Sequence, residues 1–254
     1  MSLLHRIKGY DQRVSQTSPL SLLGRTRTVW LVVLIILGLL NIAEAGSLGV
    51  SPVRVDLSTQ QRVASITVTN SSNEPKTIQM RLYKWHHDGT QTNLEKTKDI
   101  LPAPPIAVIP PKQSQLLRVG LRTKPGSKLE KSYRLMIEEI PSQQNVGVAL
   151  ALRISIPVFV KPEVSVHAQL SWSIESLNGK KFLRVDNHGN GHAKLNDFKV
   201  APAVLKTAAP TSNVYVLPGA HFRWELTSQF NSHQALQVEA IVHGKEISLA
   251  VPPH

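Results

Sequence analysis

One segment of nine residues constrains the fold of this chain more than any other, because it alternates strictly between two kinds of side chain. Val148, Leu150, Leu152, Ile154 and Ile156 are large aliphatic residues, and the residues between them are small or polar. A period of two residues is typical of a β-strand, in which successive side chains point to opposite faces. The aliphatic row predicts either packing in the protein's own core or donation to the core of another protein. The segment alone leaves both interpretations open.

Short alternating runs recur along the chain and are separated by clusters of turn residues. Ala64–Thr69 alternates before the turn cluster at 70–75, and Tyr133–Ile140 ends at Pro141. Helical periodicity is nearly absent. About seven such runs in roughly 115 residues predict an immunoglobulin-like β-sandwich.

A second series of strands follows a joint that we predict at Lys161–Glu163. Pro162 cannot donate a hydrogen bond to a sheet and stiffens the chain at this point. Beyond it, the pairs Asn178-Gly179 and His243-Gly244 predict hairpin turns. The sequence therefore predicts an all-β fold with two immunoglobulin-like β-sandwich domains in tandem, residues 46–162 and 163–254, in a boomerang arrangement.

The first 45 residues have the pattern of a secretory signal peptide. A basic leader precedes the short apolar stretch Val29–Leu40, and Ala43-Glu44-Ala45 supplies a small-x-small cleavage pattern. The apolar stretch is shorter than a membrane-spanning helix requires. We therefore expect the mature protein to begin near Gly46, the alternative being a retained signal anchor.

Charge and cysteine content narrow the classes of function. The sequence has 29 Lys and Arg against 17 Asp and Glu, and without the leader's five basic and two acidic residues the net charge is +9. Such a surplus favours an anionic partner or surface. The basic residues are scattered, however, so a nucleic-acid site is not predicted. With no cysteine, the chain has neither disulfides nor thiolate chemistry.

Histidine clusters and catalytic motifs give no sign of an enzyme. The clusters His86-His87-Asp88 and His188–His192 lack an obvious third metal ligand. No nucleophile-elbow or phosphate-loop motif occurs in the sequence. We predict no catalytic residue, no metal site, no cofactor and no small-molecule substrate.

Four motifs in order make the chain similar to a known family. They are Ser51–Leu57 (SPVRVDL), Tyr133–Pro141 (YRLMIEEIP), Ala149–Pro162 (ALALRISIPVFVKP) and the pair Val185–Gly189 and Val216–Gly219. In these residues the chain resembles the PapD-like periplasmic pilus chaperones of the chaperone–usher pathway, over essentially the whole predicted mature region. The family's lysine position holds Pro157, and its acidic residue in the last hairpin is missing from Val242–Lys245, so the chain is more similar to the divergent, archaic-type branch. The loop at 142–147 is short, and the cysteine pair of the long-loop branch is absent.

The resemblance implies a function that requires no chemical step. Such a chaperone lends a β-strand to a fimbrial or pilus subunit that lacks its last strand, and delivers the subunit to an outer-membrane usher. The donor strand implied here carries Val148, Leu150, Leu152, Ile154 and Ile156. Whether the free protein covers this strand by self-association is left open. The alternative is a secreted two-domain adhesive or structural β-sandwich protein.

The resemblance also implies a basic site for the subunit's terminal carboxylate. Arg54 matches the family's arginine in the first strand, but the family's lysine position is occupied by Pro157. We expect Arg118 to replace that lysine, with Arg153 and Lys161 as alternatives.

A final implied feature is an ion pair that holds the two domains at a fixed angle. Glu139 matches the family's acidic residue near the joint, and Lys161 is its expected partner.

Overall fold

The computed structural model describes residues 48–89, 92–122, 126–141, 151–206, 212–231 and 233–253. Regular secondary structure in these ranges consists of β-strands, numbered in chain order. The first ten are β1 (Leu48–Ser51), β2 (Val55–Leu57), β3 (Val63–Asn70), β4 (Lys76–His87), β5 (Thr92–Lys96), β6 (Ile100–Ala103), β7 (Ile106–Ile109), β8 (Ser114–Leu121), β9 (Lys131–Ile140) and β10 (Arg153–Val160). The others are β11 (Leu170–Leu177), β12 (Lys180–Asn187), β13 (Ala193–Ala201), β14 (Val214–Val216), β15 (His221–Glu225), β16 (Leu236–Val242) and β17 (Lys245–Val251).

The first ten strands form two sheets that enclose one core. One sheet has the order β1-β3-β8-β6, and the other has the order β2-β10-β9-β4-β5, with β7 also paired to β4. Alternate residues of the facing strands point inward, as the period-two pattern predicts. Their buried side chains include Ile66, Val119, Leu135, Ile137 and Val158. This arrangement is the predicted β-sandwich.

The last seven strands form a second pair of sheets with its own core. Their orders are β11-β12-β15 and β14-β13-β16-β17. The core contains Leu183, Val185, Leu195, Trp224 and Val238, all nearly inaccessible to solvent. The predicted all-β fold with two immunoglobulin-like sandwiches is confirmed.

Two predicted hairpins in the second sandwich form at the expected residues. Asn178 and Gly179 have φ angles of 50° and 75°, and they join β11 to β12. His243 and Gly244 have φ angles of 49° and 81°, and they join β16 to β17. Positive φ at both central residues is the requirement of a type I′ turn, whose twist matches that of the flanking strands.

A third apolar cluster lies where residues of both sandwiches meet. Trp85 and Phe159 come from the first sandwich, and Tyr215 and Leu217 come from the second. The segment 46–254 is a single compact unit, and this cluster is one of the contacts within it. The predicted leader lies outside the described residues. Within the described ranges, no helix has the length and apolar character needed to cross a membrane.

Candidate functional site

The strand β10 is paired on both sides at one end and on one side at the other. Residues Arg153–Val160 pair antiparallel with β9, whereas only Val158–Val160 also pair, in parallel, with β2. Among the described residues, the segment from Arg153 to Pro157 therefore keeps one open edge. An open edge presents backbone N–H and C=O groups that another strand can pair with.

The aliphatic row that the sequence predicted as a donor is divided between two environments. Ile156 is only 2% exposed and lies in the first core, so the prediction that it is donated is wrong. The reason is its register with Leu135, which places it on the inward face of the sheet. Ile154 is partly buried against the same core, and Leu152 is 36% exposed. Val148 and Leu150 lie outside the described residues.

Arg54 lies beside a cavity of about 240 Å³ that residues of both sandwiches line. Its guanidinium is engaged bidentately: Nε donates to Asp56 Oδ2 at 3.0 Å, and Nη2 donates to Asp56 Oδ1 at 2.8 Å. It also lies 5.2 Å from the centroid of the Phe159 ring. Lys161 lines the same cavity, with its Nζ 3.9 Å from Asp56 Oδ1.

Arg118 is not brought to Arg54. It lies in the middle of β8, paired with Ser65 of β3 and Ala103 of β6. Because its neighbours in the strand, Leu117 and Val119, point into the core, Arg118 points outward and is exposed. It therefore faces solvent on the sheet that does not contain β10.

Arg153 is likewise outside the cavity. Its Nε lies 2.8 Å from Glu138 Oε1, in an ion pair at the open end of β10. Of the alternatives considered from sequence, only Lys161 lies beside Arg54.

The predicted ion pair between Glu139 and Lys161 is not formed. Glu139 instead pairs with Lys76 at 2.7 Å. The register explains this, because Val160 lies opposite Lys131 at the start of β9, whereas Glu139 is near the end of that strand. Eight residues of strand separate the two positions, or about 26 Å.

A different contact between polar side chains joins the two sandwiches. Glu130 Oε1 lies 2.6 Å from His192 Nδ1 and also accepts a hydrogen bond from the His192 backbone N–H at 3.0 Å. The two side chains are 2% and 4% exposed. The His192 ring also stacks on Phe159, with centroids 3.7 Å apart. From its sequence context, His192 was a candidate only for metal binding. Among the described residues, no three His, Cys, Asp or Glu side chains are grouped so as to hold a metal ion.

Arg134 lies at the third apolar cluster, the cleft cluster (Trp85, Phe159, Tyr215 and Leu217). Its guanidinium carbon lies 3.8 Å from the Trp85 ring centroid and 5.6 Å from that of Tyr215. Burial lowers the pKa of Arg134 below its usual value, and burial raises that of Tyr215. Sequence reasoning missed this arginine. The available signal was the alternation of this strand: Tyr133 and Leu135 point inward, so Arg134 between them points outward.

His87 is the histidine whose pKa is most clearly changed. It packs at the edge of the cleft cluster, with its ring 5.2 Å from Trp85. Burial lowers its pKa to about 4, and the positive charge of Arg134 contributes in the same direction. Neither ring nitrogen has a hydrogen-bond partner. These properties describe a partly buried, neutral imidazole.

Comparisons with known proteins agree with this architecture. Residues 47–165 match the family model of the pili and flagellar-assembly chaperones, PapD N-terminal domain. A chain of the Acinetobacter baumannii CsuC–CsuE chaperone–tip adhesion subunit complex, from an archaic chaperone–usher system, superposes with a TM-score of 0.66 at 20% identity, covering 81% of this chain and 98% of that one. No curated protein sequence matches the chain.

Two further structures have the same fold. A chain of the Salmonella enterica SafA pilin–SafB chaperone complex gives a TM-score of 0.63 at 16% identity, covering 82% of this chain and 98% of that one. The Escherichia coli chaperone DraB gives 0.61 at 17% identity, covering 81% and 96%. The domain at residues 47–165 therefore belongs to the PapD N-terminal domain family of pili and flagellar-assembly chaperones.

Proposed function

We propose that this protein is a periplasmic chaperone that binds fibre subunits by lending them the open edge of β10, and that it passes them to an outer-membrane usher. It acts through two domains, residues 46–162 and 163–254, after removal of the leader 1–45. The proposal assigns it to the archaic-type branch.

The observation that carries this proposal is the open edge from Arg153 to Pro157. A strand with one free edge can add a strand of another chain by main-chain hydrogen bonds. Leu152, 36% exposed, continues the aliphatic row toward the segment that holds Val148 and Leu150. The proposal directs Leu152, together with Val148 and Leu150, into the groove of a subunit, with about 1.5–3 kcal/mol for each side chain that becomes fully buried.

The basic cavity at Arg54 supports the second part of the proposal. Arg54 and Lys161 contribute two positive charges at this cavity, where Asp56 binds Arg54 and the second carboxylate, Glu130, is bound to His192. The cavity has lining residues from both sandwiches, close to the end of β10 that is paired on both sides. A subunit strand that runs along β10 toward this end brings its terminal carboxylate to these cations. Arg118 takes no part, because it faces solvent on the other sheet.

The test is capture of subunits from the periplasm of the native host under conditions that produce fibres. Tagged wild-type protein should retain a small β-rich partner in stoichiometric amount, identified by mass spectrometry. Arg54→Ala should lose that partner, whereas the matched control Arg118→Ala should keep it. Thermal unfolding of both variants checks that each is folded.

Two results would contradict the proposal. An empty wild-type bait would favour the adhesive or structural alternative. Equal loss of the partner in both variants would instead support Arg54 and Arg118 as the pair that anchors the carboxylate. The cavity would then not be the sole basic site.

A further inference from the structure

The sheet β1-β3-β8-β6 has one face in the core of the first sandwich and an outer face that is open to solvent. Alternate residues of its four strands point to this outer face, as the burial of their neighbours shows. Most of these outward residues are glycine, alanine, serine or threonine. The larger ones are Val63, Leu101, Leu116 and Arg118. These four side chains therefore stand above their small neighbours.

Three aliphatic side chains of the outer face surround one guanidinium. Val63, Leu101 and Leu116 are 53%, 49% and 51% exposed. Val63 and Leu101 lie on either side of Gly120, and Arg118 occupies the next row of the same face, beyond which comes Leu116. Successive rows on one face of a sheet are about 7 Å apart. Single exposed aliphatic residues are ordinary on a protein surface, but a group of three on one sheet face indicates a surface that binds something.

The charge of the outer face has a single sign. None of its four strands contains an acidic residue. Within the part of the chain that the structure describes, the Arg118 side chain has neither an ion pair nor a hydrogen bond. Arg122 continues the outward parity of Arg118 just beyond the end of β8 and is exposed. Arg62, which is also exposed, directly precedes β3, and its Nη2 donates to a backbone carbonyl oxygen at 3.3 Å.

The carboxylate at the rim of this face is already engaged. Asp99 lies opposite Arg122, whose backbone N–H donates to the Asp99 carbonyl oxygen at 2.9 Å. The Asp99 carboxylate instead accepts a hydrogen bond from Tyr133 Oη at 2.9 Å. The guanidinium forks of Arg118 and Arg122 are therefore available to anions from outside the protein.

Aliphatic side chains and unpaired arginines on one face suit a surface that offers anions and hydrocarbon together. The surface of an anionic lipid bilayer has this composition: its phosphates accept hydrogen bonds from guanidinium groups, and aliphatic side chains enter the boundary between headgroups and acyl chains. A protein partner would need carboxylates fixed opposite each arginine, whereas lipid headgroups move laterally and reach all of them. The positive net charge of the whole chain attracts it to such a surface over a longer distance.

We infer that the outer face, centred on Arg118 and bordered by Arg62 and Arg122, binds the anionic surface of a lipid bilayer. The arginines contact lipid phosphates, and the three aliphatic side chains contact the hydrocarbon below them. This inference goes beyond the proposed function and does not rest on it. Since β10 belongs to the other sheet of the sandwich, its open edge stays free for a subunit while the outer face lies on a membrane.

The first test is co-sedimentation with vesicles, using the protein in the form that its host accumulates. One set of vesicles contains phosphatidylethanolamine and phosphatidylglycerol, and the other contains phosphatidylcholine alone. The protein should sediment with the anionic vesicles and remain in solution with the neutral ones. Binding should weaken in about 1 M NaCl, where screening reduces the attraction between guanidinium and phosphate. Equal binding to both kinds of vesicle, or to neither, would overturn the inference.

Two charge variants distinguish the outer face from a general attraction of a basic protein. Arg118→Gln should bind anionic vesicles about fivefold more weakly, as expected for the loss of one basic residue at an anionic surface. The matched control is Lys245→Gln, which removes one positive charge at an exposed position in the second sandwich and should bind as the wild type does. Equal losses in the two variants would assign the binding to net charge and overturn the inference.

A second measurement reports directly which surface meets the lipid. The sequence contains no cysteine, so a single introduced cysteine can carry a polarity-sensitive fluorophore at one known position. Labelled Leu101→Cys should show a blue-shifted emission when anionic vesicles are added. The control is labelled Leu177→Cys, in β11 of the second sandwich, where the native side chain is 39% exposed, and its emission should not change. A shift at Leu177→Cys without one at Leu101→Cys would place the membrane contact elsewhere.

Other occupants of the outer face give different results. Sedimentation velocity without lipid would reveal a dimer if a second copy of the chain covered this face, and loss of that dimer in Arg118→Gln, with no vesicle binding, would overturn the inference in favour of self-association. The outcomes are also separate from those of the proposed function. Arg118→Gln should capture a subunit normally while it loses vesicle binding, and a wild-type protein that captures no subunit should still bind anionic vesicles.

Discussion

The two ends of β10 have opposite surroundings. Val158, Phe159 and Val160 are at most 1% exposed and lie between β9 and β2. Arg153 and Ile154 have β9 on one side and an open edge on the other. Alternation determines which side chains share a face, while the second neighbouring strand determines whether the backbone is still available. One strand can therefore stabilise its own sandwich at one end and remain open to a partner strand at the other.

The largest expected effect is at the buried end of the aliphatic row. Ile156→Asp places a carboxylate in the first core, where Ile156 is 2% exposed. We expect a loss of about 4 kcal/mol or more in the free energy of unfolding, measured with urea, because the charge has no partner there. Stability equal to the wild type would show that Ile156 lies outside the core, and would restore it to the donor row.

A fall in pH is expected to have an intermediate effect on the free energy of unfolding, through His87 at the cleft cluster beside the buried end of β10. The pKa of His87 is lowered from 6.5 to about 4, so the folded protein favours the neutral ring. The stability due to the neutral ring is complete above pH 6.5 and is lost as the pH falls from 6.5 toward 4. Since one pKa unit corresponds to about 1.4 kcal/mol, and the ring is not fully buried, we expect a loss of about 2 kcal/mol.

Urea unfolding between pH 7.5 and 4.5 measures this loss, with His87→Gln as the control. The control should have a shallower pH dependence than the wild type by that amount, since glutamine does not titrate. Parallel curves for the two proteins would show that His87 is not the group responsible.

The smallest effect on stability is expected at the open end. Leu152→Asp makes the same chemical change as Ile156→Asp, in the same aliphatic row, at a residue that is 36% exposed. The free energy of unfolding should change by less than about 0.5 kcal/mol. Subunit capture should nevertheless fall, because a charge replaces an apolar side chain that the proposal directs into the subunit. A loss of stability similar to that of Ile156→Asp would remove the difference between the two ends.

The sequence predicted the repetitive parts of the fold well because their signals are local. Alternation predicted the strands, and the pairs Asn178-Gly179 and His243-Gly244 predicted hairpins, since positive φ angles are an intrinsic preference of these residue types. The division of the aliphatic row was harder to predict. Ile156 and Leu152 have the same parity, and only the strands packed around them distinguish a core residue from an exposed one.

Predictions about charged side chains were less successful for a related reason. Glu139 was assigned to Lys161, but the antiparallel register places them at opposite ends of β9 and β10. The pair that does join the sandwiches, Glu130 and His192, is 62 residues apart in sequence and carries no local pattern. The partner of a charge depends on register and on which faces meet, and neither is encoded in residue spacing.

By itself, the sequence determined the all-β class, the two sandwiches and the resemblance to pilus chaperones, because periodicity and turn chemistry act between near neighbours. Only the tertiary structure decided which arginine is already satisfied and which is not. Arg118 and Arg134 each lie within a strand, and Arg54 directly precedes β2. Folding gives Arg54 a carboxylate, exposes Arg118 to solvent, and places Arg134 against Trp85, where no carboxylate of the described residues pairs with it. Long-range packing sets these surroundings, and they determine what each charge can bind.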